Sequence, residues 1–205
     1  MARDIRAILL CGGAGTRFGG DKLLALLRDG TPIAAHAARN LLQGAGNALA
    51  VIPIGAAELR SVLEPLGCAI VESQRTAQGM GESLAAAITA TERADGWIVA
   101  LGDMPLIRAD TIAAVRAALE AGALLAAPVS ERSGERGHPV GFSAALRDEL
   151  VALRGDRGAR SVLERHRDLL HAVATDDEGI FTDLDTREQL AALAAMATRD
   201  PPPRA

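Results

Sequence analysis

Tyrosine is absent, and aromatic residues together make up 2% of the 205-residue chain. A groove that holds single-stranded nucleic acid by stacking has no material to be built from. Positive charge is short as well: 22 Lys and Arg face 26 Asp and Glu, a formal net charge of −4, which excludes an electrostatic grip on DNA or RNA. The two cysteines, Cys11 and Cys68, lack CxxC spacing and read as buried thiols, with Cys11 also placed to react at the mouth of a loop. No apolar run reaches membrane-spanning length and the first residues do not read as a signal peptide, so a cytoplasmic protein is expected. With so few aromatics, Ala, Leu, Ile and Val must fill the core. The length suits one domain, 1–197, with a disordered tail at 198–205.

Two standard phosphate-binding loops are missing too. Gly15 and Gly20 have the separation of a P-loop, but Asp21 intervenes before Lys22, and Leu23 stands where the magnesium-binding hydroxyl belongs. The dinucleotide fingerprint fails at Phe18, which occupies its third glycine position. What is present is Leu10-Cys-Gly-Gly-Ala-Gly-Thr-Arg-Phe-Gly-Gly-Asp-Lys22, between an apolar strand pattern at 5–10 and a possible helix start at 23–27. Gly12, Gly13, Gly15, Gly19 and Gly20 let the backbone approach a ligand closely, and the amides of such a loop make a concave anion site. Arg17 offers a two-pronged contact to phosphate oxygens and Lys22 a mobile point charge. The loop reads as a triphosphate cradle.

Strand and helix patterns alternate along the rest of the chain, predicting an α/β fold with a mainly parallel sheet and helices on both faces. A helix is expected from Pro32 to about Gln43, closed by Gly44 and Gly46, then strands at 48–54 and 68–71 around a helical stripe of Leu59, Val62, Leu63 and Leu66. The segment Gln78-Gly-Met-Gly-Glu-Ser83 precedes another helix, and Ser83 either caps it or binds a ligand. The strand at 97–101 runs into Gly102-Asp-Met-Pro105. Asp103 is thus set at a strand's carboxyl end, where an open sheet gathers ligands and where a carboxylate suits Mg²⁺. Asp110 is positioned to cap the following helix. A strand at 123–129 and a short link to Gly137-His-Pro-Val-Gly-Phe-Ser143 predict one antiparallel strand, with His138 near the site mouth. Gly155-Asp-Arg-Gly-Ala-Arg160 carries Arg157 and Arg160, which either receive an anion or form a solvated helix start. Thr182-Asp-Leu-Asp-Thr186 is expected to end the last strand, with one of Asp183 and Asp185 facing the site, and Thr186 with Gln189 forms a capping box.

These motifs, in this order over roughly 5–197, resemble the nucleotidyltransferases that build molybdopterin dinucleotides, most of all the molybdenum cofactor cytidylyltransferases. The Leu-x-x-Gly-x-x-x-Arg-x-Gly-x-x-Lys signature carries the likeness, together with Gly-Met-x-x-Ser, Gly-Asp-x-Pro and Gly-His-Pro. Gly-Asp-x-Gly-Ala-Arg is more typical of the cytidylyl branch, whereas Gly12-Gly13 resembles the guanylyl one. Arg187 departs from the proline of the family's Asp-x-Asp-Thr-Pro.

The resemblance implies transfer of CMP from CTP to the terminal phosphate of molybdopterin, with pyrophosphate released. GTP-dependent guanylyl transfer and non-catalytic nucleotide binding are the alternatives. It implies nucleotide contacts from Leu10, Cys11, Gly12, Gly13, Gly15, Arg17, Lys22, Gly79, Met80, Gly81 and Ser83, with Arg17, Lys22 and Asp103 catalytic. It further implies Mg²⁺ on Asp103 and Asp185, with Asp183 in reserve, and acceptor contacts from His138, Arg157 and Arg160. The acceptor phosphate is mostly ionised at neutral pH, its second pKa lying near ~6, so no strong general base is needed. A monomer is expected, handing its product to a molybdoenzyme or its chaperone.

Overall fold

The computed structural model describes residues 3–12, 21–156 and 158–196. Gly13, Gly15, Arg17, Phe18, Gly19, Gly20, Arg157 and the segment 197–205 therefore lie outside the described residues.

Seven strands form one sheet among the described residues: β1 (Ile5–Leu10), β2 (Leu49–Pro53), β3 (Ala69–Ser73), β4 (Gly96–Leu101), β5 (Leu125–Ser130), β6 (Val140–Ser143) and β7 (Leu170–Thr175). Their order is β3-β2-β1-β4-β6-β5-β7, and β6 runs antiparallel to both of its neighbours while the remaining pairs are parallel. The short link between β5 and β6 leaves no room for a crossover helix, which is why that one strand turns back. β1 and β4 pair in register from Ile5↔Gly96 to Leu10↔Leu101. Successive strands step outward on opposite sides of this pair, so the crevice at its carboxyl ends is the switch point of the sheet.

The period of two along the strands divides the core. Ile5, Ala7 and Leu9 of β1 and Ile98 and Ala100 of β4 face α1 (Ile33–Ala45), α2 (Ala57–Leu63) and α4 (Ala109–Glu120). Ile8, Leu10, Trp97 and Val99 face the opposite way, toward α3 (Met80–Ala90), α5 (Arg147–Val151) and α6 (Arg160–Arg165). Trp97 is fully buried, and its indole N–H donates to Thr91 Oγ1 at 2.9 Å. No helix among the described residues is long and apolar enough to cross a membrane.

Several local expectations change. Residues 23–27 do not start a helix: a single 3₁₀ turn, Lys22–Leu24, passes into extended chain, and Leu26 bridges Pro32. Gly46, with φ of 74°, ends α1 as expected, but Gly44 lies inside the helix. A Cβ at Gly44 would stand 2.4 Å from the Ala109 carbonyl oxygen, so this glycine serves the close approach of α4. Asp110 does not cap α4, because it sits in the helix's first turn and the N-cap is Arg108. The buried Asp177 does that work from a distant part of the chain. Its Oδ2 accepts from the Arg108 N–H and the Thr111 hydroxyl, both at 2.8 Å, and its Oδ1 from the Gly179 N–H at 2.9 Å. Residues 182–186 are not strand, because β7 already ends at Thr175 and a 3₁₀ turn, Glu178–Phe181, follows it. The Thr186–Gln189 capping box is present and opens α7 (Arg187–Met196).

Candidate active site

At the switch point the chain leaves β1 through Cys11 and Gly12 and leaves β4 through Gly102 and Asp103. Cys11 N–H donates to Val51 O at 3.0 Å and Gly102 N–H to Leu10 O at 2.9 Å, which locks both exits to the sheet. A Cβ at Gly102 would lie 3.0 Å from Cys11 Sγ, so the glycine is what admits the thiol beneath the Asp103 turn. Cys11 is buried, and burial first, then Cys68, Asp103 and Asp21, pushes its thiol far above the ordinary range. Cys68 is pushed up to about 11 by burial. Neither is a reactive thiolate, which corrects the expectation for Cys11. Gly12 faces Thr76 and Ser83, whose hydroxyl would stand 3.3 Å from a Cβ placed there.

Three chain segments converge on one ion-pair node. Lys22 Nζ donates to Asp103 Oδ2 at 2.7 Å and to Asp185 Oδ1 at 2.6 Å. Burial pulls the Lys22 ammonium down, but its hydrogen bonds to the two carboxylates outweigh this and hold its pKa above the ordinary value. Asp103 Oδ1 is buried without a hydrogen-bond partner among the described residues. Asp185 is delivered by backbone pinning rather than by a strand. Leu184 N–H donates to Asp103 O at 3.0 Å, and Gln189 Oε1 accepts the N–H of Asp185 at 2.7 Å and of Thr186 at 2.8 Å. Burial first, and then Asp185, hold the neighbouring Asp183 carboxyl above its usual range. Of the two acids, Asp185 is the one that meets Asp103 across the ammonium.

Sequence reasoning missed the support beneath Asp103. Asn40 Nδ2 donates to Pro105 O and to Ile107 O, both at 2.9 Å. His36 Nδ1 reaches Pro105 O at 2.8 Å and must carry its proton there, because a carbonyl only accepts. The available signal was a polar pair at i, i+4 on the otherwise apolar inner face of α1.

The motifs at 78–83 and 155–160 dock on each other. Gly79 has φ of 126°, and a Cβ there would lie 2.4 Å from Gly155 C; one at Gly81 would lie 2.9 Å from Gly155 O. Gly81 N–H donates to Gly155 O at 2.9 Å, and a Cβ at Gly158 would meet Met80 Sδ at 3.0 Å. The first role of these glycines is therefore packing of one loop on another. Ser83 lies inside α3, not at its cap, and donates to Gly79 O at 3.2 Å while staying buried.

Beside the node is a cavity of about 470 Å³ between the carboxyl ends of β1 and β4, the start of β6 and the loop before α6. Leu101, Val140 and Phe142 contribute apolar walls, and Arg136, His138 and Arg160 polar ones. His138 Nδ1 is buried and unpartnered among the described residues. Burial, reinforced by the Arg136 charge and opposed by Asp103, brings its pKa down to about 4, so the ring is neutral at pH 7. Burial and then Arg160 hold Arg136 below its ordinary value. Arg136 was not singled out from sequence. Arg160 pairs with Glu164 at 2.8 Å on its own helix and reaches the cavity only at its rim. Gly137 is packed so tightly that a Cβ would lie 2.5 Å from Ile180 O, and His138 N–H donates to that carbonyl at 3.0 Å. A larger groove of about 820 Å³, between residues 24–29 and α7, contains none of the expected site residues.

A family model described as the MobA-like NTP transferase domain matches residues 7–170. Nicotine blue oxidoreductase of Paenarthrobacter nicotinovorans is 31% identical over 194 residues, covering 91% of this chain and 94% of that protein. Molybdenum cofactor guanylyltransferase of Cupriavidus pinatubonensis is 32% identical over 197 residues, covering 91% and 94%. Among solved structures, Rv0371c of Mycobacterium tuberculosis H37Rv has a TM-score of 0.81 at 23% identity, covering 95% of this chain and all of that one (100%). A manganese complex of the same protein has a TM-score of 0.77 at 23% identity, covering 94% and 98%. At that identity the structural likeness speaks for the fold. The sequence matches speak for descent, and by them this chain belongs to the MobA-like NTP transferase domain family and is a nucleotidyltransferase.

Proposed function

We propose that the protein transfers GMP from GTP to the terminal phosphate of molybdopterin and releases pyrophosphate. The observation that carries the reading is the node of Lys22, Asp103 and Asp185 at the sheet's switch point, where a lysine that closely follows the glycine-rich loop in sequence meets two carboxylates. Relatives from Cupriavidus, Ralstonia and Burkholderia named molybdenum cofactor guanylyltransferase favour GTP over the CTP suggested by Gly155–Arg160.

The donor set fits a hard divalent cation. Carboxylate oxygens are its preferred ligands, and Asp103 Oδ1 is a buried oxygen with no partner among the described residues. Asp103 and Asp185 would hold Mg²⁺ or Mn²⁺, which when bound supplies charge neutralisation to the phosphates. Lys22 offers its ammonium to the triphosphate, and Gly12 keeps the chain free of a side chain where it passes Thr76 and Ser83. Arg17 is proposed to grip the distal phosphates. His36 and Asn40 hold the turn that aims Asp103. In the adjoining cavity Arg136 and Arg160 attract the acceptor's phosphate, and the neutral His138 ring offers a buried nitrogen to the pterin. His138 is too weak a base to be needed, since the attacking phosphate is already ionised. Rate enhancement then comes from positioning and electrostatics.

The test is pyrophosphate release with molybdenum cofactor and Mg²⁺ or Mn²⁺, with GTP and CTP in parallel. Release with GTP alone is expected. Release with CTP alone keeps the reaction and reverses the base, while binding without release of pyrophosphate removes the acceptor assignment. One relative carries an oxidoreductase name, so fluorescence titration with NADH and NADPH belongs beside it, and no binding is expected.

A further inference from the structure

Lys22 stands between the two carboxylates assigned to the metal. Its ammonium is 2.7 Å from Asp103 Oδ2 and 2.6 Å from Asp185 Oδ1, and its side chain is only 14% exposed. We propose that Lys22 is the resident cation of the nucleotide-free site, so that a divalent cation binds well only together with a nucleoside triphosphate that draws the ammonium away. The inference rests on reading the site as a metal–triphosphate centre.

The argument is one of charge and space. A divalent cation on these carboxylates, whether it takes the open Asp103 Oδ1 or an oxygen the ammonium already contacts, stands close to a like charge. A cation arriving alone finds the carboxylates already neutralised by a largely buried ammonium, and either meets that repulsion or breaks two short charge-assisted hydrogen bonds with nothing in exchange. A triphosphate supplies that exchange, because its oxygens accept the ammonium as the carboxylates release it. The flexible four-carbon stem of a lysine suits such a handover, whereas the rigid fork of an arginine does not. Lys22 is also the first basic residue after the glycine-rich loop. By linkage, metal and nucleotide each raise the other's affinity.

The experiment is a titration of Mn²⁺, followed by electron paramagnetic resonance, into the nucleotide-free wild type, Lys22→Gln, Lys22→Met and Lys22→Arg, with folding checked by circular dichroism. Lys22→Gln and Lys22→Met should bind Mn²⁺ at least ~10-fold more tightly than wild type, as expected on removing a like charge in contact with the ligand oxygens. Lys22→Arg should stay near wild type. Adding a GTP analogue with a non-hydrolysable α,β-bridge should tighten Mn²⁺ binding in wild type and close the gap. Equal Mn²⁺ affinity in wild type and both neutral variants overturns the inference, as does a wild type indifferent to the analogue. Adding Asp103→Asn to Lys22→Gln separates the two levels of the argument. If the double variant keeps the affinity of Lys22→Gln, the carboxylates are not the ligands and the metal-centre reading falls too. If it loses Mn²⁺ while Lys22→Gln matches wild type, only the resident-cation inference falls.

Discussion

The Lys22–Asp103–Asp185 node and the Arg136–His138–Arg160 cavity share one edge of the sheet but follow opposite electrostatic plans. In the node, opposite charges meet at hydrogen-bond distance, and the chain around them is pinned by Leu184, Gln189, His36 and Asn40. In the cavity, Arg136 has no ion pair among the described residues, Arg160 is balanced by Glu164 on its own helix, and an imidazole is kept neutral with one nitrogen unsatisfied. A compensated cluster keeps its geometry without a ligand. An unpaired cation such as Arg136 leaves its charge for an arriving anion. The difference fits the proposed division between a reaction centre and an acceptor pocket.

The sharpest way to break the comparison is at Asp103. Asp103→Ala should lower turnover by at least ~100-fold with little change in acceptor KM, as loss of an electrostatic contact to the reacting group would. Steady-state kinetics that show a KM effect alone would merge the two regions. Arg136→Ala should do the reverse, raising acceptor KM by about 10-fold while kcat stays within a few-fold, consistent with a lost charge-assisted hydrogen bond to a phosphate. Asn40→Leu removes two donors to the turn behind Asp103. A rise in the Mn²⁺ concentration required for half-maximal activity, of roughly 3- to 10-fold, is expected for two lost hydrogen bonds, with acceptor KM unmoved.

The smallest effect concerns pH. His138 has its folded pKa near 4, below its ordinary 6.5, so between these values the unfolded chain binds a proton that the folded one refuses. Stability should fall as pH drops from about 6.5 to 4 and lose this contribution to the slope below it. Urea melts of His138→Gln across that window should show a shallower decline than wild type. An identical slope would mean that the ring is not held neutral by its surroundings.

How far the site was legible from sequence differs between the same two regions. Lys22, Asp103 and Asp185 were each visible, because a loop after a strand, an acid at a strand end and an acid before a capping box are local signals. Arg136 was not, because an arginine in a polar turn looks the same whether it points to water or into a cavity. Gly79, Gly81 and Gly158 were visible as glycines, but the docking of 78–83 on 155–158 that requires them joins segments more than seventy residues apart. The placement of 182–186 as strand failed for a related reason. Alternating Asp183 and Asp185 mimic extended chain, while the pairing that would make a strand is already complete at Thr175.

By itself the sequence determined the alternation of strands and helices, the single antiparallel strand, the broken fingerprints and the glycine-rich loop, since periodicity, turn length and residue chemistry are local properties. The tertiary structure alone decided that one ammonium bridges Asp103 and Asp185, that Asp177 caps α4, and that Arg136 lines the cavity beside His138. Those facts depend on distances between segments far apart in the chain, which are set by how the layers pack and leave no mark on the spacing of the residues involved.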